Sequence, residues 1–486
     1  MRNWRKRTKE KTGAHDKKIS VKIDANKAHF AKNHDVLPGL VVREITLYNG
    51  RKGLISYVEN ISDTLFISQQ ILKPLFSDHS SEKSIQNVLT VPKIDELDLW
   101  EEVHAKLLLG FCLIFIDGET HVYCINSQNV QKRTPSEPAN ERTIRGSHQG
   151  FIEFLDDNLA MLRRYLPNDQ FRVQKVVIGS ETRTKAAIVY LEELANPDVI
   201  EELMSRIDKV KDKSILDVGE LEQRIEDNPY TVFPQFLSTE RPDSVVSDLL
   251  QGRIAILVDK SPNVLVGPSN FNSFFQSIDD YSSRWIASSF IRLLRFICFI
   301  IAVFLPALYI AVISYHYEIL PLEMLLSIGQ SRREVPFPPI IEALLMEFIL
   351  EMLREAGLRL PKSIGQTVGI VGGLIIGQSA VEAGLVSNIM VIVVAMTAIA
   401  SFVMPNPEMA FGIRFIRFPM MAISSFFGMV GIIIGFMILI MHLLSLESLG
   451  TAYGAPYAPL SLKGLKDSII RFPISSLNKI RKSPRA

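Results

Sequence analysis

Cysteine is nearly missing from this chain: Cys112, Cys124 and Cys298 are the three present among 486 residues. They lack metal-ligand spacing and a partner framework, which argues against disulfide or zinc architecture and fits a reducing compartment. Nine histidines are present, but they do not cluster at ligand spacing and no HExxH helix occurs. A nucleotide-hydrolysing loop needs GxxxxGK followed by Ser or Thr, so that backbone amides and a lysine both reach phosphate, and no such segment exists. There is no GxSxG elbow either, so an enzyme is not expected, and neither catalytic residues, cofactor nor metal are assigned. The opening MRNWRKRTKEKTGAHDKK is basic without an apolar core like that of an export signal, so the polar part of the chain is expected to stay in the cytoplasm. Aromatic residues are not interleaved with the basic termini, which reads as membrane topology rather than nucleic-acid binding.

Balanced charge, 53 Lys and Arg against 52 Asp and Glu, and a mean hydropathy of +0.18 conceal two unlike halves. Up to about Asp280 the chain is mixed and charged. Four long uncharged runs follow, Phe296 to Tyr317, Ser363 to Val381, Ala383 to Pro407 and Phe418 to Leu446. Each is long enough for a bilayer core, which takes about 20 helical residues. A fifth span between Pro336 and Leu353 stays open. Arg284, Arg292 and Arg295 before the first run, and Lys463, Lys466, Arg471, Lys479, Arg481, Lys482 and Arg485 after the last, place both ends in the cytoplasm. Arg414 and Arg417, between the last two runs, pull the other way.

The polar half contains four strand-turn-strand patterns: EITLYNGRKGLISYV, FCLIFIDGETHVYCI, VQKVVIGSETRTKAAIVYL and RIAILVDKSPNVLVG. Helical patterns lie between them, among them LDLWEEVHAKLLLG and DVIEELMSRIDKV. Leu107, Leu108, Gly110, Asp117 and Val122 recur at constant offset as Leu249, Leu250, Gly252, Asp259 and Val264. The fold class is therefore a multidomain membrane protein with a duplicated α/β cytosolic N-terminal region followed by an all-α transmembrane domain. The expected boundaries are a basic tail over 1–40, subdomains over 41–126 and 151–285, a linker over 127–150, a membrane domain over 286–446 and a basic tail over 447–486.

The richest stretch runs from Val335 to Gly384. Glu347, Glu351 and Glu355 fall at i, i+4 and i+8 on one face of an apolar helix. Carboxylates at membrane depth are costly enough to survive mainly beside water or ions, so they are candidate pore-lining residues. The alternative is the solvated face of an interfacial amphipathic helix, partly neutralised by Arg354 and Arg359. Gly365, Gly369, Gly373 and Gly377 recur every four residues and form a candidate packing or gating seam, within one subunit or between subunits. Glu382 reads as a short-loop residue and His316 as part of an interfacial aromatic belt.

Several long strings carry a resemblance: VPFPPIIEALLMEFILEMLREAGLRLP, IGQTVGIVGGLIIGQSAVEAGLVS, FPQFLSTERPDSVVSDLLQGRIAILVDKSP and DDYSSRWIASSFIRLLRF. The chain resembles the A subunit of GerA-type spore germinant receptors over most of its length, with a departure at RGSHQGF after Arg145-Gly146 and a weaker match before about Trp100. The resemblance implies a receptor in the spore inner membrane, working with a permease-like B subunit and a lipoprotein C subunit. It further implies a homo-oligomer, a pentamer, forming a nutrient-gated channel for monovalent cations that initiates germination. Two alternatives remain: a non-conducting scaffold that assembles partners and relays the signal, and a secondary transporter with a cytosolic regulatory domain.

Overall fold

The computed structural model describes residues 18–32, 39–47, 50–59, 61–77, 85–128, 138, 141, 146–462 and 464–473. It divides into two compact units, one of residues up to Ile225 plus Ser238–Gly267, the other of Glu226–Leu237 plus the chain from Pro268 onward.

The first unit is built twice from one plan. Strands β1 (Leu40–Thr46), β2 (Lys52–Val58), β3 (Ile94–Leu97), β4 (Cys112–Ile116) and β5 (Val122–Ile125) form a sheet of order β1-β2-β4-β5-β3. Strands β6 (Phe171–Ile178), β7 (Thr184–Leu191), β8 (Leu237–Thr239), β9 (Ile254–Val258) and β10 (Val264–Gly267) repeat it as β6-β7-β9-β10-β8. All four expected hairpins form. In β4 every residue is buried, because the sheet is covered on both faces and period-2 alternation sorts side chains between two cores. Leu113 and Phe115 join Phe30 and Trp100 on one side, whereas Cys112, Ile114 and Ile116 meet Ile67, Ile71 and Leu75 on the other.

Helices α1 (Ile23–Lys32) and α2 (Trp100–Leu108) in the first repeat correspond to α3 (Leu155–Tyr165) and α6 (Pro242–Leu249) in the second, which also contains α4 (Pro197–Val210) and α5 (Val218–Ile225). Helix α4 starts at Asn196, whose side chain accepts from Asp198 N, and buries Val199, Leu203, Ile207 and Val210 along one stripe. The polar joints repeat as closely as the strands. Asn26 brackets the backbone of Ser20, accepting from its N at 3.1 Å and donating to its O at 2.7 Å. Asn158 does the same to Ile152 at 2.9 and 2.5 Å. Asp117 accepts from Ile23 N, and Asp259 from Leu155 N. Gly110 and Gly252 both sit at φ +86, and a Cβ there would stand 2.5 Å from Ile61 O and 2.6 Å from Leu194 O. Their recurrence in the sequence is thus a backbone requirement met twice. The expected 1–40 tail needs correcting, since Ile19, Ile23 and Phe30 are core residues of the first repeat. Most of the expected 127–150 linker lies outside the described residues.

The second unit is helical: α7 (Trp285–Tyr315), α8 (Leu322–Ser331), α9 (Pro339–Arg359), α10 (Lys362–Glu382), α11 (Asn388–Phe402) and α12 (Pro407–Ser445). By length and composition α7 and α12 could each cross a membrane. Helix α12 is not one straight rod, which corrects the expected single run from Phe418 to Leu446. At Gly428 the backbone turns to φ 59, ψ −136, and the arm after it folds back on the arm before it. A Cβ on Gly431 would lie 2.5 Å from Ile423 O, and one on Gly435 2.5 Å from Met420 Sδ. Both hairpin ends accordingly reach the same short segment, with Gly412 against Val232 O and His442 Nε2 2.8 Å from Thr231 Oγ1. Helix α7 lies along the hairpin, sharing with it a core of Ala302, Val303, Ala307, Ile413, Met420 and Leu439.

Residues 226–237 and 268–285, expected in the second α/β subdomain, belong to this helical unit. Nor are residues 447–462 and 464–473 a peripheral tail. Tyr453 is fully buried and donates to Pro234 O at 2.9 Å, and Ser448 Oγ donates to Gln235 O at 2.7 Å.

Candidate functional site

Helix α9 enters behind Pro338 with Pro339 at its first turn, where a missing N–H costs nothing, and ends before Pro361. Its acids descend the helix into four different settings. Glu342, with no exposure, accepts from Ser387 N at 3.0 Å and lies 2.9 Å from Arg332 Nη2. Glu347, also buried, pairs with Nη1 of the buried Arg417, whose Nε donates to Ala302 O at 2.9 Å. Glu351 is half-buried, with Arg354 Nη1 at 3.0 Å and Arg414 Nε at 3.3 Å from one carboxylate oxygen. Glu355 is exposed and accepts from Arg359 Nε at 2.8 Å.

The i, i+4, i+8 stripe therefore exists as spacing and is met by arginines along its length. A buried carboxylate without a counter-ion carries a desolvation penalty of several kcal/mol, and pairing plus hydrogen bonding is what offsets it. Arg354 and Arg359, named from the sequence, do neutralise Glu351 and Glu355. Glu342, Arg332, Arg414 and Arg417 were missed. Arg414 and Arg417, which lie between the last two apolar runs in the sequence and there oppose the topology, sit inside α12 and serve as counter-ions to α9. The signal was available: two arginines three apart in an apolar run match two glutamates four apart in another.

The glycine ladder divides likewise. Helices α9 and α10 form an antiparallel hairpin whose closest point is Gly365, where a Cβ would stand 2.6 Å from Gly357 O. Gly372, outside the four-residue repeat, faces Leu353 Cδ2 at 3.0 Å, and Gly377 meets Val391 at an ordinary 3.7 Å. Among the described residues, Gly373 has no atom within 4 Å of its Cβ position. Gly369 lies in α10, but its surroundings fall outside the described residues. The seam between α9 and α10 thus runs through Gly365 and Gly372, and Gly373 faces open space.

A second charged cluster holds the start of α7. Arg292, fully buried, donates to Asp280 Oδ2 and Asp467 Oδ1, both at 2.8 Å, while Arg295 donates to Asp280 Oδ2 at 2.8 Å. Arg471 donates to Asp280 O and, at 3.0 Å, to Ser283 O. Arg292, Arg295 and Arg471, expected as topology signals, here meet Asp280, and Arg292 and Arg471 tie residues 467–471 to α7. Beside the base of the α12 hairpin, burial, aided by the Glu408 and Asp227 carboxylates, pushes Glu226 up to about 7.

A family model described as Bacillus/Clostridium GerA spore germination protein matches residues 26–483. The chain belongs to the GerA spore germination protein family. It is 41% identical over 450 residues to spore germination protein A1 of Bacillus subtilis (strain 168), covering 92% of each chain. It is 39% identical over 470 residues to the uncharacterized membrane protein YfkQ of the same organism, covering 96% of this chain and 92% of YfkQ. The N-terminal domain of the A subunit of the Bacillus megaterium spore germinant receptor GerK3 is 27% identical to it, covers 53% of this chain and 98% of its own, and superimposes with a TM-score of 0.41.

Proposed function

We propose that this GerA-family chain is the A subunit of a nutrient receptor in the spore inner membrane, assembling with copies of itself into a nutrient-gated monovalent cation channel. The observation that carries the reading is the α9–α10 hairpin. Its α9 arm is tied to the rest of the chain by buried ion pairs, and its nearly charge-free α10 arm leaves Gly373 facing open space. A close-packing glycine at membrane depth suits another helix, and a second copy supplies one. In this reading α7, α11 and the two α12 arms cross the membrane, with the base of the α12 hairpin and the start of α7 on the cytoplasmic side. A permease-like B subunit and a lipoprotein C subunit complete the receptor, with nutrient recognition mainly on B.

Within the stripe, Glu355, exposed although paired with the exposed Arg359, is the carboxylate placed to face an aqueous path, and Glu347 acts as an anchor. Acids on such a path raise the local cation concentration. The non-conducting scaffold has one observation in its favour: arginines neutralise Glu347 and Glu351 within the chain. Cation flux through liposomes carrying this chain with its B and C companions separates the two. Nutrient-dependent flux whose selectivity changes in Glu355→Gln supports the channel. An intact, nutrient-binding complex without flux refutes it.

A further inference from the structure

Counting charges along the α9–α12 contact leaves a remainder at one end. Glu342 has Arg332, and Glu347 has Arg417, one for one. Glu351 has two guanidiniums, Arg354 and Arg414, on a single carboxylate oxygen. Nε of Arg354 is buried without a hydrogen-bond partner among the described residues, and Nε of Arg414 is buried with its 3.3 Å ion-pair approach to Glu351. The next acid, Glu355, is engaged by Arg359. One positive charge is therefore left over at a site where both arginine side chains are only 17% exposed. An uncompensated charge so placed is expensive.

Its neighbours are apolar and outward-facing. The Arg354 guanidinium lies 5.1 Å from the Phe402 ring centroid and that of Arg414 5.6 Å from Phe411. Those rings are 69% and 59% exposed. Its α12 member, Arg414, is two residues from Gly412, at the base of the α12 hairpin rather than its Gly428 turn. A half-buried pair of arginines flanked by exposed aromatics, near one end of a membrane helix bundle, matches a phosphate with acyl chains attached.

We propose that Arg354 and Arg414 bind the headgroup phosphate of an anionic phospholipid of the cytoplasmic leaflet, with Phe402 and Phe411 against its chains. Glu351 spaces the two guanidiniums and sets the net charge of the site. The proposal uses the membrane placement of the helical unit and none of the channel reading.

The test is native mass spectrometry of the full chain released from nanodiscs of phosphatidylglycerol mixed with phosphatidylcholine, counting retained lipid. The wild type is expected to retain phosphatidylglycerol selectively, and retention to weaken about fivefold for each arginine removed in Arg354→Gln and Arg414→Gln. Arg414→Lys keeps part of the retention, Glu351→Gln strengthens it, and Arg359→Gln leaves it unchanged. Because loss of retention in the two arginine-to-glutamine variants could also come from misfolding, the gain in Glu351→Gln, which misfolding would not produce, is the second, independent arm. Equal retention in all variants, or no preference for phosphatidylglycerol, overturns the proposal. So does competition by millimolar inorganic phosphate, which would make it a site for free anion. Failure of the chain to enter nanodiscs at all would instead refute the membrane placement.

Discussion

Replacing Arg417 with methionine isolates what the α9–α12 contact is worth. Arg417 and Glu347 are 2% and 1% exposed along their side chains, so the substitution strands a carboxylate in a dry setting and also removes the 2.9 Å bond to Ala302 O. Breaking a buried pair from one side costs about 3–5 kcal/mol, because the partner keeps its desolvation penalty and loses the attraction that offset it. Glu347→Gln strands the guanidinium and has a similar cost. The double variant Glu347→Gln, Arg417→Met removes both charges, so its cost should fall to about 1–2 kcal/mol, far below the sum of the singles. Unfolding in mixed micelles titrated with denaturing detergent, followed by far-ultraviolet circular dichroism, measures all four corners of the cycle. Singles of about 1 kcal/mol that add in the double would refute a buried, mutually dependent pair, and with it the anchoring role of Glu347.

Glycines in the two hairpins should respond in opposite ways. Gly431→Val forces a side chain onto Ile423 O and should lower the stability of the single chain by about 2 kcal/mol or more in the same titration. Gly373→Val meets no atom within 4 Å, so single-chain stability should hold while oligomer size, read by light scattering in detergent, changes. An unchanged oligomer would remove Gly373 from any subunit seam. Glu226 carries a pH signature. Its folded-state value of about 7 exceeds that of an unfolded glutamate, so the folded state binds the extra proton and stability falls as pH rises from about 4.5 to 7, then levels off. Glu226→Gln should reduce that slope between about pH 4.5 and 7, and an unaltered slope would assign it to another group.

Much of the α/β unit was legible because its signals are local. Gly50 and Asp117-Gly118 sit at turns between alternating strands, and Gly110 and Gly252 recur because each backbone conformation and close approach excludes a side chain. The equivalence of Asn26 and Asn158 was not legible. Each depends on a backbone partner six residues away, and the first lay in a segment whose composition resembled a tail. Exposed basic residues and buried ones look alike in sequence. Arg292 and Arg471 show their role once Asp280 and Asp467 are brought beside them.

By itself the sequence determined the duplicated α/β plan, the apolar half, the acidic spacing of α9 and the family, since periodicity, turn chemistry and long specific strings are properties of neighbouring residues. Tertiary structure alone decided that the run ending near Ser445 is a hairpin and that Glu347 faces Arg417. It also decided that Gly365 packs while Gly373 does not. Each of these depends on which distant backbone comes within a few ångströms, and a linear pattern carries no record of that distance.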